Sequence, residues 1–286
     1  NLIIEELHNN LIQDLNKLRS KYNNIYSLDL NKVFQNEGFD KIYDSRNFYL
    51  ANCRLSSRGI EILSECLNKI IKKIYLPSKK VLVLDCDNTL WGGIIGEDGI
   101  KSILIGQDGI GKAFLDFQKN IKRLLDKGVI LWIASKNNHA DVLNVFKKHQ
   151  EMQLKEKDII SFKVNWREKH LNLLEISKDL DIGLDSMVFW DDNPLERQKM
   201  RLALPDVFTV EPEQDVIYWP DQLNKLELFS NFKITDEDKK KQYQYKIRSK
   251  FVEGKNNAQN EITYLKKIKL KVKKINLLKG NISRAS

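Results

Sequence analysis

The chain contains no stretch of about 18 or more consecutive apolar residues, so no membrane-spanning helix is expected. Its start, NLIIEELHNN, lacks the regions of a secretory signal, which argues against export and for a cytoplasmic location. It also lacks an initiating Met, as a fragment would. Cysteine is scarce: Cys53, Cys66 and Cys86 show neither metal-ligand spacing nor the even number of a disulfide framework, and they fit core packing in a reducing compartment. His8, His139, His149 and His170 are scattered, which leaves no cluster for a soft metal and suits surface or capping roles. No internal repeat or low-complexity linker interrupts the chain.

What is present is ordinary for a globular protein. Hydrophobic residues make up 42% of the 286 positions and charged residues 30%, enough for one large or two smaller domains. Lys and Arg number 48 against 39 for Asp and Glu, a formal net charge of +9. Such a balance suits nucleic acid, an acidic protein partner or phosphorylated substrates. The Lys runs hold few aromatic residues to act as base-stacking platforms, so the charge reads as a solvated surface and nucleic acid is not the expected partner.

Three regions follow from the pattern. Residues 1–75 are mostly helical, with an apolar stretch at IYSLDLNKVF and a helix at RGIEILSECLNKIIKKI. Over residues 76–235 strands alternate with helices: VLVLD, GKAFLDFQKNIKRLLDKG, VILWIAS, HADVLNVFKKH, DIISFKV, EKHLNLLEISKDL and SMVFW. That alternation predicts an α/β fold, a parallel sheet flanked by helices. Residues 236–286 read as a charged helix, DEDKKKQYQYKIRSKF, then a strand in which Ile268, Leu270 and Val272 alternate with Lys, leading toward a further domain.

The predicted strands end in polar groups. VLVL is followed by Asp85 and Asp87, VILWIA by Ser135, SMVFW by Asp191 and Asp192, while Lys169 opens the intervening helix. Parallel strands bring their carboxyl ends to one edge of the sheet, which is where ligands bind in open α/β sheets. Carboxylates crowded there repel one another unless a cation compensates, and hard oxygen ligands suit Mg2+. A carboxylate beside Mg2+ and a fixed Lys can attack phosphorus to give an aspartyl-phosphate, and a second one two residues on can move the proton. Ser135 adds a hydroxyl before a helix whose amides can bind phosphate oxygens and which Asn137 or Asn138 can cap.

DCDNT at 85–89 resembles the DxDxT motif of the haloacid dehalogenase (HAD) superfamily, and Ser135, Lys169 and the pair Asp191 and Asp192 fall in the order of its other motifs. The resemblance implies a Rossmann-like HAD fold, with Asp85 as nucleophile and as metal ligand. It gives Asp87 the role of general acid and base, with its main-chain carbonyl on the metal. Thr89 would orient the loop, Ser135, Lys136, Asn137 and Lys169 would bind phosphate, and Asp192 is favoured over Asp191 as direct Mg2+ ligand. LDCDNTLWGGIIGEDG, SKNN, NWREK and FWDDNPLER are similar to the FkbH-like branch, over about residues 40–286. That branch implies a phosphorylated small molecule or three-carbon acyl unit as substrate and an acyl carrier protein as partner. The alternatives are a polynucleotide end phosphatase and a non-catalytic HAD scaffold that binds partners.

Between Thr89 and Gly111 there is room for a hairpin flap, WGGIIGEDG, but not for a cap domain. Trp91, Gly92 and Gly93 are read as substrate-facing, in preference to a tight turn with a packed Trp. ANCRLSSRG at 51–59 resembles the DxxHLSxxG block of SGNH-type esterases, with Ala51 and Arg54 where that block has its acid and base. Arg stays protonated and cannot act as that base, so a remnant without esterase activity is expected.

Overall fold

The computed structural model describes residues 2–22, 24–35, 37–75, 77–226, 228–229, 244–245 and 247–248. The chain divides into two units, Asn1–Leu76 and Pro77–Ser286.

The first unit is helical: α1 (Leu2–Lys21), α2 (Leu30–Gln35), α3 (Phe39–Ile42), α4 (Ser45–Ala51) and α5 (Ser57–Tyr75). Its core is small, Phe34, Ile42 and Ile62 with Leu30, Val33, Leu55 and Cys66 packed around them. Gly59 is what lets α5 close on α3. A Cβ there would lie 2.6 Å from the Ile42 carbonyl oxygen, so a larger residue would push the helix off this core. In the block that resembles an esterase motif, Arg54 stacks its guanidinium 4.9 Å from the Phe48 ring centre.

The second unit is a three-layer α/β structure. In chain order it contains β1 (Val81–Leu84), α6 (Ile95–Asp98), α7 (Gly109–Asp126), β2 (Ile130–Ser135), α8 (His139–Lys148), β3 (Ser161–Val164), α9 (Lys169–Leu180), β4 (Met187–Trp190), α10 (Pro194–Ala203), β5 (Phe208–Thr209) and α11 (Trp219–Lys225). The five strands are all parallel in the order β3-β2-β1-β4-β5, the parallel sheet expected from the alternating pattern and a Rossmann-like arrangement of the kind the resemblance implies. β1 is central, with Leu84 opposite both Ile133 and Trp190.

Alternate residues of β1 face opposite layers. Leu82 and Leu84 join a core with Phe117 of α7, Phe146 of α8 and Trp219 of α11, whereas Val81 and Val83 pack with Leu173 and Ile176 of α9 and Met200 of α10. Burial on both faces explains why these strands are continuous apolar runs. The strand expected over 158–164 begins at Ser161, because Glu156–Asp158 form a 3-10 turn in which Asp158 Oδ2 accepts from the Lys155 amide at 2.9 Å. Of the charged helix expected from Asp236, Gln244, Tyr245, Ile247 and Arg248 are helical. The rest of that helix, and the strand at Ile268, Leu270 and Val272, lie outside the described residues.

Candidate active site

The carboxyl ends of β1, β2 and β4 form one polar edge. Asp85 leaves β1 with its amide bonded to the Trp190 carbonyl at 3.2 Å, which holds it level with the end of β4. Lys169, the first residue of α9, reaches across to place Nζ 3.0 Å from Asp85 Oδ2 and 2.6 Å from Asp191 Oδ2. It is 3% exposed. Burial alone lowers its pKa, but the charges of Asp85 and then Asp191 outweigh that and hold the ammonium above its ordinary value.

Asp85, Asp191 and Asp192 each offer a carboxylate oxygen, all within 4.8 Å of one another. Asp85 Oδ1 is buried without a hydrogen-bond partner among the described residues. Asp191 is fully buried, and lost solvation, then Asp85, raise its pKa to about 7 against the pull of Lys169. Its Oδ1 accepts the Asn193 amide at 2.9 Å, which fixes the carboxyl in place. Asp192 is raised for the same two reasons. Thr89 Oγ1 lies 3.3 Å from both Asp192 Oδ1 and the Asp192 amide, tying the β1 loop to the β4 loop. An orphaned carboxylate oxygen in a cluster of hard ligands, with one ammonium for three acids, is a donor set that fits a small divalent cation.

The Asp87 carboxylate stands apart from this group. Its Oδ1 accepts from the Trp91 indole at 3.0 Å and the Ile95 amide at 3.1 Å, and its Oδ2 from Asn137 Nδ2 at 2.7 Å. Burial raises its pKa, while these three donors work the other way. Asn137, expected among the phosphate-binding residues, thus holds Asp87, and Asn138 caps α8 by accepting from the Ala140 amide at 3.0 Å. Ser135 is buried at the end of β2 beside the Cys86 thiol, which burial and then Asp85 push well up. Lys136, also expected at the phosphate, is engaged by Glu168 at 3.2 Å and Glu196 at 3.1 Å.

The segment expected to be a flap is bridged at its base. Gly92 and Leu104 pair antiparallel, with α6 between them. Gly93 sits at φ +96°, where a Cβ would lie 2.6 Å from Asp98 Oδ2. Trp91 does not face a substrate. It is fully buried in edge contact with Phe146, because its ring completes the core and its N–H is taken by Asp87.

Sequence reasoning missed Arg197. From α10 its Nη1 donates to the carbonyls of Asp191 at 3.0 Å and Asp192 at 2.6 Å, so it clamps the β4 loop from beneath. Its Nη2 pairs with Glu211. Its sequence traces are its place shortly after the acidic pair and at the end of the FWDDNPLER segment.

The fold and the edge define an α/β protein with an acidic centre at the carboxyl end of a parallel sheet. Among solved structures, the chain is similar to the N-terminal part of the protein BF1531 from Bacteroides fragilis, a structure containing a phosphatase domain complexed with Mg. The identity is 37% and the TM-score 0.68, over 78% of this chain and 60% of that one. This chain therefore spans less than two thirds of that neighbour's length. No family model matches the sequence, and no curated protein matches it.

Proposed function

We propose that this chain is a Mg2+-dependent HAD-type phosphatase or phosphotransferase that works through an aspartyl-phosphate on Asp85. The observation that carries this reading is the state of the Asp85 carboxylate: one oxygen is paired to Lys169 at 3.0 Å, while the other is buried with no hydrogen-bond partner among the described residues. The 37% identical neighbour, whose phosphatase domain was crystallised with Mg, supports the choice of cation. Asp85, Asp192 and the Asp87 carbonyl would hold Mg2+, with Asp191 kept beside it by Lys169. Bound there, the ion supplies charge neutralisation for the phosphate oxygens.

The chain's own residues do the rest. Asp85 forms a bond to phosphorus as the bond from phosphorus to the leaving oxygen breaks. Asp87 gives that oxygen a proton and later takes one from the water or acceptor hydroxyl that attacks the phosphoenzyme. Trp91, Ile95 and Asn137 orient Asp87 for this. Ser135 and Lys169 steady the transferring group. The finer reading is the FkbH-like one, a phosphorylated three-carbon acyl unit handled for an acyl carrier protein. It rests on the sequence segments alone.

The test is hydrolysis of p-nitrophenyl phosphate by the full chain with and without Mg2+. Activity should require the ion and vanish in Asp85→Asn, because an amide neither attacks phosphorus nor balances the metal's charge. Full activity in that variant would sink the mechanism.

A further inference from the structure

We infer that a cavity beside the acidic centre receives the part of the substrate beyond the phosphoryl group, and that it selects a group carrying an amine over one carrying a carboxylate or second phosphate. This rests on the phosphoryl-transfer reading and narrows its substrate class. The cavity has a volume of about 820 Å³. That is the size of a ligand site, typically about 300–1,000 Å³. Asn88 and Asp192 belong to its wall, so it adjoins the acidic centre through Asp192. Ile110 and Trp219 give it an apolar lining, and Glu213 and Asp215 stand in its outer wall.

The charges in this wall are unequal. Asp192 belongs to the proposed metal site. Glu211 is neutralised by Arg197 and Arg201, whose hydrogen bonds hold its pKa below the ordinary value. Arg197, the basic residue in this wall, has Nη1 on two backbone carbonyls and Nη2 on Glu211, while its Nε is buried with no hydrogen-bond partner among the described residues. Its charge is matched by Glu211. Glu213 and Asp215 have no ion-pair partner among the described residues, and Asp215 turns one oxygen inward to cap the Ile217 amide at 3.1 Å. The segment that carries them is held in place, since the Glu213 amide donates to Gln222 at 3.0 Å and its carbonyl accepts the Trp219 indole at 2.8 Å. Two exposed carboxylates in the wall of a wet cavity, without an ion-pair partner among the described residues, attract an ammonium and repel an anion. A three-carbon acyl unit with a second phosphate would be disfavoured.

Three hexose phosphates of matched size differ mainly in charge: glucosamine 6-phosphate, glucose 6-phosphate and 6-phosphogluconate. Hydrolysis of each by the full chain in Mg2+, and binding of each to the slowed Asp87→Asn variant by calorimetry, should rank amine above neutral above carboxylate. The extremes should differ by about tenfold or more at low ionic strength, and the gap should shrink with added salt. Glu213→Lys cancels the charge of the pair and should level the ranking, and its exposed side chain makes misfolding no concern. Equal or reversed ranking in the parent, no binding of any of the three, or an unchanged order in Glu213→Lys overturns the inference. Hydrolysis that depends on Asp85 but shows no ranking removes the cavity's role alone. Ranked binding without hydrolysis removes the phosphoryl-transfer reading alone.

Discussion

Replacing Lys169 by Met should destabilise the protein by about 3–5 kcal/mol near pH 8 in the presence of chelator. The ammonium stands 3.0 Å from Asp85 and 2.6 Å from Asp191. At an effective dielectric of about 20, each contact is worth about 6 kcal/mol of attraction. Most of that offsets the desolvation of three buried charges, and what the substitution exposes is the uncompensated remainder. Met keeps much of the stem's packing but leaves two carboxylates facing each other. They can escape only by taking up protons. A carboxyl whose folded pKa lies above its unfolded one, as for Asp191 at about 7, holds protons that the unfolded chain has released. Stability then falls as pH rises from the ordinary carboxylate range through that value, and removing Lys169 steepens the fall. Urea unfolding at about pH 5.5 and about pH 8 reads this directly. The midpoint of thermal unfolding near pH 8 should drop by about 6–20 °C. A loss under about 1 kcal/mol near pH 8, or a larger loss near pH 5.5, would refute this account of the pair.

Asp87→Asn should lower turnover by about 10² or more while inorganic phosphate still binds, and unchanged turnover on a poor leaving group would place the proton transfer elsewhere. Mg2+ should raise the melting temperature of the full chain more near pH 8 than near pH 5.5, because ligands must lose their protons to bind it; scanning fluorimetry that gives the opposite trend would contradict the acidic centre as the site. An acyl carrier protein should bind with modest, salt-sensitive affinity, while labelled oligonucleotides bind weakly at physiological salt. Tight oligonucleotide binding with removal of a terminal phosphate would favour the end-processing alternative.

The sheet was legible because its central strands obey one simple rule. Val81–Leu84, Ile130–Ser135 and Met187–Trp190 are buried on both faces and therefore read as apolar runs, and their ends fall where the chain turns polar. β5 is two residues long with no pattern to read, and α6 is a single turn. At the candidate site, Asp85, Lys169, Asp191 and Asp192 were visible as strand-end and helix-start residues that parallel topology must gather. The partners of Lys136 were not, since Glu168 and Glu196 come from α9's start and from α10. Trp91 beside two glycines reads as surface, and only the fold reveals that its N–H has a carboxylate to meet inside.

The bridge between Gly92 and Leu104 has an evolutionary side. Two hydrogen bonds, from the Gly92 amide to Leu104 at 3.0 Å and from the Leu104 amide to Gly92 at 2.8 Å, hold the two ends of the intervening segment together. Once the ends are fixed, the chain between them can grow almost freely, since each doubling of a loop's length adds only about 0.6 kcal/mol of closure entropy. The bridge is thus a socket: insertions after Ile95, whose amide holds Asp87, can be accepted there while the strand that carries Asp85 keeps its register. A deletion of one residue within Val81–Leu84, by contrast, would turn every inward side chain of β1 to the opposite layer. Sequence change in this protein has a permissive place and a forbidden one, close together in the chain.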